Sequence, residues 1–168
     1  MRMMFWTALW IFLLDQLVKL LVLFGVFRLS WAELTDPFAP LPYPRSVDVI
    51  SPYLELHMAW NRGVNFGLFA NYDMSWVLIG VAITITAGVI WWLARVGGSK
   101  WVYLSGGFLI GGAMGNVIDR ILYGAVADFL NMSCCGFSNP YSFNVADICI
   151  FIGAIGLAFL ADDKKKSA

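Results

Sequence analysis

The sequence predicts an all-α membrane protein with four transmembrane helices, both termini in the cytoplasm and a small β-sheet in the first outer loop. Three observations lead to this fold class. Of the 168 residues, 60% are hydrophobic and only 13% are charged, whereas soluble domains carry about 25% charged residues. Four segments are apolar over the roughly 20 residues that a helix needs to cross a bilayer. Basic residues are unevenly placed along the chain. The net charge is zero, so the chain has no overall basic field that would favour binding to nucleic acid.

The predicted spans differ in the charges that they contain. The first holds Asp15 and Lys19, and it is too long for a removable signal peptide and lacks a small-residue cleavage site. The second carries no charge, the third meets Asp119 and Arg120 near its end, and the fourth contains Asp147. In chain order the predicted spans cover residues 3–27, 74–94, 101–122 and 141–160.

Orientation follows from the basic residues, which are enriched on the cytoplasmic side of membrane proteins. Arg2 lies at the N-terminus, Arg95 and Lys100 lie between the second and third spans, and Lys164–Lys166 lie at the C-terminus. With four spans these three places share one side, so both termini are expected in the cytoplasm. The long loop 28–73 and a shorter loop between spans three and four then face the outside.

The outer loop 28–73 has two parts of different composition. Residues 36–52 are rich in proline and are expected to be irregular or extended. From Tyr53 to Trp60 apolar and polar residues alternate strictly, which is the period of a half-buried β-strand. Continued through Asn61–Gly67, the pattern predicts a small amphipathic sheet at the outer membrane surface. No repeat is present, so residues 1–168 are expected to form one membrane-embedded domain.

Cysteine and histidine chemistry has little support in the sequence. Cys134 and Cys135 are adjacent, and Cys149 lies in the fourth span. All three are expected to be unpaired or incidental, because bridged neighbours are strained and uncommon. His57 is the only histidine and faces outward on the predicted strand. A single histidine excludes multi-histidine zinc sites and argues against a serine–histidine hydrolase. We therefore expect neither a metal nor a cofactor.

Two carboxylates are predicted to lie close to the outer interface. A charge inside a span costs several kcal/mol unless it faces a partner or water, so such residues are functional candidates. At about 1.5 Å per helical residue, Asp147 lies about 9 Å inside the fourth span, and Asp128 lies within or just beyond the same interface. Two neighbouring acids share one proton, which suits peptide hydrolysis by activation of water. Spacing alone leaves this pair and a structural alternative equally open.

In the structural alternative, Asp128 caps a loop and Asp147 pairs with Arg120. Asp15 and Lys19, four residues apart on one helical face, are expected to stabilise the first span.

Two further features of the third span are predicted to be structural. Asp119 shares a helical face with Asn116 and Arg120, so it is expected to hold Arg120 or a neighbouring backbone group. Glycine also recurs at every fourth position, which predicts close helix packing and no chemistry. These glycines are Gly107, Gly111 and Gly115.

Five motifs resemble those of lipoprotein signal peptidase, also called signal peptidase II, and they occur in the family's order. Gly112–Arg120 is similar to the G-x-x-G-N-x-x-D-R block, and Gly124–Phe129 is similar to G-x-V-x-D-F. Phe143–Asp147 resembles F-N-x-A-D, Asp15–Lys19 resembles D-x-x-x-K, and Asn61–Gly67 resembles N-x-G-x-A-F. Each motif alone is weak, but together they extend over nearly the whole chain.

The resemblance implies a membrane aspartyl endopeptidase with Asp128 and Asp147 as catalytic residues. Its implied substrates are prolipoproteins whose cysteine carries diacylglyceryl, cut just before that cysteine. We expect a monomer in the bacterial inner membrane, in contact with lipids, with the active site near the outer face. The pair Asp15 and Lys19 resembles a structural brace for the outer sheet or for the first span. Six more residues are implied to line or brace the site: Asn61, Gly63, Asn116, Asp119, Arg120 and Asn144.

Two features depart from the family pattern, and two other functional classes stay open. Asn65 stands where a small residue is more common, and the proline-rich stretch 36–52 is long.

A small transporter or channel would use the intramembrane charges as a polar path, although these cluster in the outer half and the second span has none. A non-catalytic lipoprotein assembly protein would tolerate loss of Asp128 or Asp147.

Overall fold

A computed structural model describes residues 1–35, 46–63 and 74–160 of the chain. Three sequence features therefore lie outside the described residues, wholly or in part. They are the proline-rich stretch up to residue 45, the continuation of the outer strand with Asn65 and Gly67, and the basic cluster Lys164–Lys166. The described chain is mostly helical and contains one three-stranded sheet.

Four long helices correspond to the four predicted spans. Helix α1 (Arg2–Leu20) continues as a π-helix over Leu21–Val26. After the short helix α2, which is described below, come α3 (Ser75–Val96), α4 (Lys100–Tyr123) and α5 (Val145–Leu160). Within the described residues, three helical segments are long and apolar enough to cross a membrane: α1 with its π-helical continuation, α3 and α4. The first three predicted spans are thus confirmed as helices of spanning length.

The fourth predicted span is a shorter helix in the described chain. Helix α5 has 16 residues, or about 24 Å at 1.5 Å per residue, against a hydrocarbon core of about 30 Å. It begins at Val145 and not near residue 141, because Phe143 exchanges backbone hydrogen bonds of 2.8 and 3.0 Å with Leu130. That α5 crosses the membrane, and that both termini are cytoplasmic, stay predictions.

The sheet contains one strand that the alternating pattern predicted, one within the stretch 36–52 that was expected to be irregular or extended, and one that was missed. Strands β1 (Ser46–Ile50), β2 (Leu54–Asn61) and β3 (Val126–Met132) are antiparallel in the order β1-β2-β3. Strand β2 and its exposed His57 confirm the alternating pattern. Strand β3 was predicted to be loop, since a strand buried on both faces shows no alternation. Its residues from Val126 to Phe129 are all buried.

The described parts of Leu17–Trp76 and Ile118–Asn144 form one compact unit, called here the sheet unit. Its apolar core packs the end of the first helical segment and α2 (Trp31–Thr35) against the sheet. Helix α2 begins with a capping box, in which Ser30 and Glu33 each bond the other's backbone N–H. The largest buried core side chains are Leu23, Phe27, Leu29, Leu34, Met58 and Phe129.

The described parts of Met1–Gln16, Val77–Val117 and the chain from Val145 form a second compact unit, called here the helical unit. Its glycines lie where helices approach closely. A Cβ atom added at Gly107 would lie 2.8 Å from the carbonyl oxygen of Met4, and one at Gly111 would lie 2.6 Å from that of Ala8. These contacts confirm that the repeated glycines serve packing.

Gly111→Ala is expected to lower the temperature of thermal unfolding because the new methyl group would force the backbone at Ala8 to move. Overpacking of this kind costs about 1–3 kcal/mol. Gly88→Ala is the matched control, since a Cβ there has no neighbour within 4 Å and alanine favours a helix interior over glycine by about 1 kcal/mol. Unfolding of both variants in detergent, followed by intrinsic fluorescence, tests this. Equal midpoints for the two variants would contradict the packing role of Gly111.

The expectation that all three cysteines are unpaired is wrong for two of them. Cys134 and Cys135 form a disulfide, whereas Cys149 is free and buried. The bridged pair lies in a tight turn in which Cys134 and Phe137 exchange backbone hydrogen bonds of 2.9 and 3.2 Å. Cys135 and Gly136 both have positive φ, 60° and 84°, as the central residues of a type I′ turn do. The disulfide thus lies in a turn whose backbone conformation could not be seen from two adjacent cysteines in the sequence.

Candidate active site

The sheet unit holds Asp128 in the middle of β3, opposite Ala59 of β2. Its side chain is only 2% exposed, and a buried carboxylate requires hydrogen-bond donors. Asn61 donates to one carboxylate oxygen at 2.9 Å, and Asn144 donates to the other at 2.7 Å. Each oxygen of Asp128 is therefore held by a side-chain amide from another segment of the chain.

The amide of Asn61 is itself oriented by its neighbours. The Gly63 N–H donates to Asn61 Oδ1 at 2.8 Å, which directs the Nδ2 group towards Asp128. Gly63 has a φ of 100°, a conformation that residues with a Cβ rarely adopt. Arg120 Nη1 donates to the backbone oxygen of Asn61 at 3.3 Å. Three of the predicted site residues thus meet around Asn61: Gly63, Arg120 and Asp128.

Asp119 links the end of α4 to the strand that carries Asp128. Its Oδ2 atom lies 2.8 Å from Lys19 Nζ, and the two side chains are 0% and 3% exposed. The same oxygen accepts the backbone N–H of Ala127 at 3.3 Å. The prediction that Asp119 holds a neighbouring backbone group is confirmed, and that group immediately precedes Asp128.

The helical unit holds Asp147 in the first turn of α5, where it is half-buried. Asn116 of α4 donates to Asp147 Oδ1 at 2.8 Å. A carboxylate in the first helical turn also interacts favourably with the N-terminal end of the helix dipole. The amide and the helix terminus together fix this acid at the start of an apolar helix.

Asp15 also lies in the helical unit, fully buried, and its Oδ1 atom accepts the backbone N–H of Ala146 at 2.9 Å. Gln16 donates to Asp15 Oδ2 at 3.1 Å and to the carbonyl oxygen of Gly115 at 3.4 Å. Gln16 was not among the predicted site residues. The signal that could have found it is an uncharged polar residue inside an apolar span.

The two units therefore contain all ten predicted residues, and each is in a hydrogen bond or ion pair within its own unit. Asp119, Arg120, Asp128, Asn144, Asn61, Gly63 and Lys19 lie in the sheet unit, and Asn116, Asp147 and Asp15 lie in the helical unit. Within the described residues, no group of three or more His, Cys, Asp or Glu side chains is placed to hold a metal ion. The side-chain amides that donate to Asp128 and Asp147 carry no charge themselves.

Comparison with known sequences links this arrangement to one family. A sequence model described as signal peptidase (SPase) II matches residues 7–161. A protein of Methylobacterium sp. (strain 4-46) called lipoprotein signal peptidase is 45% identical over 121 residues, covering 71% of this chain and 72% of the relative. A protein of the same name from Methylorubrum extorquens (strain PA1) is 36% identical, covering 86% of this chain and 76% of the relative. Another from Vibrio cholerae serotype O1 (strain M66-2) is 32% identical, covering 97% of this chain and 88% of the relative.

Two solved structures, both described as a bacterial membrane enzyme determined by the in meso method, share the fold. The first has a TM-score of 0.72 at 23% identity and covers 99% of this chain and 93% of its own. The second has a TM-score of 0.74 at 21% identity and covers 94% of this chain and 91% of its own. At these identities the likeness concerns the fold of a membrane protein.

Proposed function

This chain belongs to the signal peptidase II family of membrane proteases, which remove signal peptides from prolipoproteins, and from this premise we propose that it works by an aspartyl mechanism. Asp128 and Asp147 are the catalytic pair of the proposal. The substrate is a prolipoprotein whose cysteine carries diacylglyceryl, and the bond that breaks is the one before that cysteine.

The observation that carries the proposal is the way in which both carboxylates are held. Asn61 and Asn144 donate to Asp128, and Asn116 donates to Asp147. Asn144, which binds one aspartate, stands only three residues before the other in the chain. Three residues of backbone span about 11 Å at most, so the donor to Asp128 is tied covalently to the turn that carries Asp147.

The proposed chemistry uses the proton that two neighbouring acids share. The ionised aspartate takes a proton from a water molecule, whose oxygen attacks the carbonyl carbon of the scissile bond. The protonated aspartate polarises that carbonyl and then gives its proton to the leaving nitrogen as the C–N bond breaks. After cleavage, each aspartate is in the protonation state in which the other began. Transfer of one proton between the two aspartates then restores the starting state.

The proposed substrate fits the position of Asp147 at the start of an apolar helix. Burying an acyl chain in the bilayer contributes about 0.8 kcal/mol per CH₂ group. Two chains on the cysteine would therefore hold the preceding peptide bond close to the membrane interface. We place the site near the outer face of the bacterial inner membrane, in a monomer surrounded by lipid. Gly63, Asn116, Asp119 and Arg120, with Asn61 and Asn144, support the two acids in this proposal, and Lys19 braces Asp119.

The first test compares a precursor with and without diacylglyceryl on its cysteine, using protein purified in detergent. We expect the modified precursor to be cleaved at least about 100-fold faster, since the acyl chains anchor the scissile bond at the membrane. A gel shift measures the rate, and mass spectrometry identifies the new N-terminus as the modified cysteine. The Asp147→Asn protein, prepared identically, controls for contaminating proteases. Equal cleavage of both precursors, or a different N-terminus, would refute the proposed specificity.

A further inference from the structure

We propose that Asp15 is a positioning residue for the reaction: it fixes the first turn of α5 from helix α1 and so holds the carboxylate of Asp147 in place. The inference rests on the proposed function of Asp147. It begins from the hydrogen bond of 2.9 Å that the Ala146 N–H donates to Asp15 Oδ1. Asp15 is 131 positions away in the chain and 0% exposed.

The bond solves a problem at the start of α5. The first four backbone N–H groups of a helix have no partner within the helix, and inside a membrane each unsatisfied group is costly. In most helices a residue just before the first turn accepts one of them. In α5 one of these groups is the N–H of Ala146, the second residue of the helix. A carboxylate from another helix accepts the Ala146 N–H, and charge-assisted bonds of this kind are about twice as strong as neutral ones.

Helix α4 approaches the same carboxylate closely at Gly115. A Cβ atom added at Gly115 would lie 2.5 Å from Asp15 Oδ2, so only glycine leaves room for the side chain. Gln16 donates both to Asp15 and to the carbonyl oxygen of Gly115. The next residue of α4, Asn116, donates to Asp147 at 2.8 Å. Two neighbouring residues of α4 therefore contact the anchor of α5 and the acid that it positions.

Asp15 does not need to touch the substrate to affect the chemistry. Ala146 and Asp147 are consecutive, so the bond to the Ala146 N–H sets the direction in which the Asp147 side chain leaves the helix. A displacement of about 1 Å in a reacting group can cost about 100-fold in rate. Loss of the anchor is therefore expected to reduce turnover, while the affinity for the acylated substrate stays nearly unchanged.

The experiment compares Asp15→Ala, which removes the acceptor, with Asp15→Asn, which keeps an acceptor oxygen in nearly the same volume. We expect Asp15→Ala to lower kcat by about 10- to 100-fold and to leave KM within about threefold of wild type. Hydrogen exchange at the Ala146 amide should accelerate in this variant. Asp15→Asn should recover most of kcat and most of the protection of that amide.

Gly115→Ala tests the same anchor from α4, with Gly88→Ala as the matched control because that position is open. We expect Gly115→Ala to lower kcat and speed exchange at Ala146, and Gly88→Ala to do neither. The inference is overturned if kcat is unchanged, if only KM changes, or if kcat falls while exchange at Ala146 stays slow. If Asp15→Ala does not accumulate as folded protein, Gly115→Ala and Asp15→Asn decide the question by the same criteria.

Asp147→Asn, assayed beside these variants, separates the two hypotheses. An active Asp147→Asn protein would refute the proposed catalytic role of Asp147. Exchange at the Ala146 amide would still report whether Asp15 anchors α5. An inactive Asp147→Asn protein with fully active Asp15 and Gly115 variants would refute the positioning role alone.

Discussion

Asp128→Asn and Asp147→Asn are each expected to lower kcat for prolipoprotein cleavage by about 10³-fold or more, since proton transfer by a positioned side chain contributes up to about 10⁴-fold. Asparagine has nearly the volume of aspartate but can neither take a proton from water nor return one to the leaving nitrogen. It keeps one carbonyl oxygen, so the amide donors Asn116 and Asn144 retain an acceptor. The measurement is a gel-shift assay of single-turnover cleavage with diacylglyceryl-modified precursor.

The controls for this prediction come from the same chain. Asp48 is an exposed carboxylate on β1, so Asp48→Asn should leave kcat within about twofold, as surface substitutions usually do. The double variant of Asp128 and Asp147 should be scarcely slower than either single variant, because residues that act as a unit show non-additive losses. Near-normal cleavage by either single variant would refute the aspartyl mechanism. It would return the transporter and assembly-protein hypotheses to consideration.

Lys19→Met is expected to destabilise the fold by about 3–5 kcal/mol, the cost of removing one partner from a buried ion pair. Lys19 Nζ lies 2.8 Å from Asp119 Oδ2, and neither side chain is more than 3% exposed. Without the ammonium group, the buried charge of Asp119 loses this partner, next to the backbone N–H of Ala127 that donates to it. Unfolding in detergent by a graded denaturant measures the change in free energy.

A double variant identifies the charge as the cause. In Lys19→Met with Asp119→Asn the buried negative charge is gone, while an acceptor oxygen remains for the Ala127 N–H. We expect this double variant to be more stable than Lys19→Met alone, which marks a coupled pair. Lys100→Met changes an exposed lysine at the start of α4 and should have little effect. Additive losses in the double variant would show that Lys19 acts through packing and not through its charge.

The apolar spans and β2 were predictable because each depends on a pattern that neighbouring residues carry. A run of about 20 apolar residues is long enough to cross the bilayer as a helix, whatever the rest of the chain contains. In β2, apolar and polar residues alternate because one face of the strand contacts the core and the other faces solvent. Strand β3 shows no such alternation because both of its faces are buried, so the strand that carries Asp128 was predicted to be loop.

The candidate residues could likewise be predicted from the sequence, whereas their contact partners could not. An acid in an apolar segment is conspicuous in any sequence, so Asp15, Asp119 and Asp147 were found by composition alone. Their contacts were not: the ion pair between Lys19 and Asp119 joins two residues that are far apart in the chain, and no local pattern marks them as partners.

The sequence by itself therefore showed that the chain is a membrane protein with three helices of spanning length. It also identified the glycines that serve packing and the candidate acids Asp15, Asp119 and Asp147. Only the tertiary structure decided which donor holds each acid, that Cys134 and Cys135 are bridged, and that Asp15 receives the N–H of Ala146 across 131 positions. The physical reason is the range of the forces involved. Solvent and bilayer select residues one at a time along the chain, whereas a buried polar group must be satisfied by whatever residue the fold brings within about 3 Å.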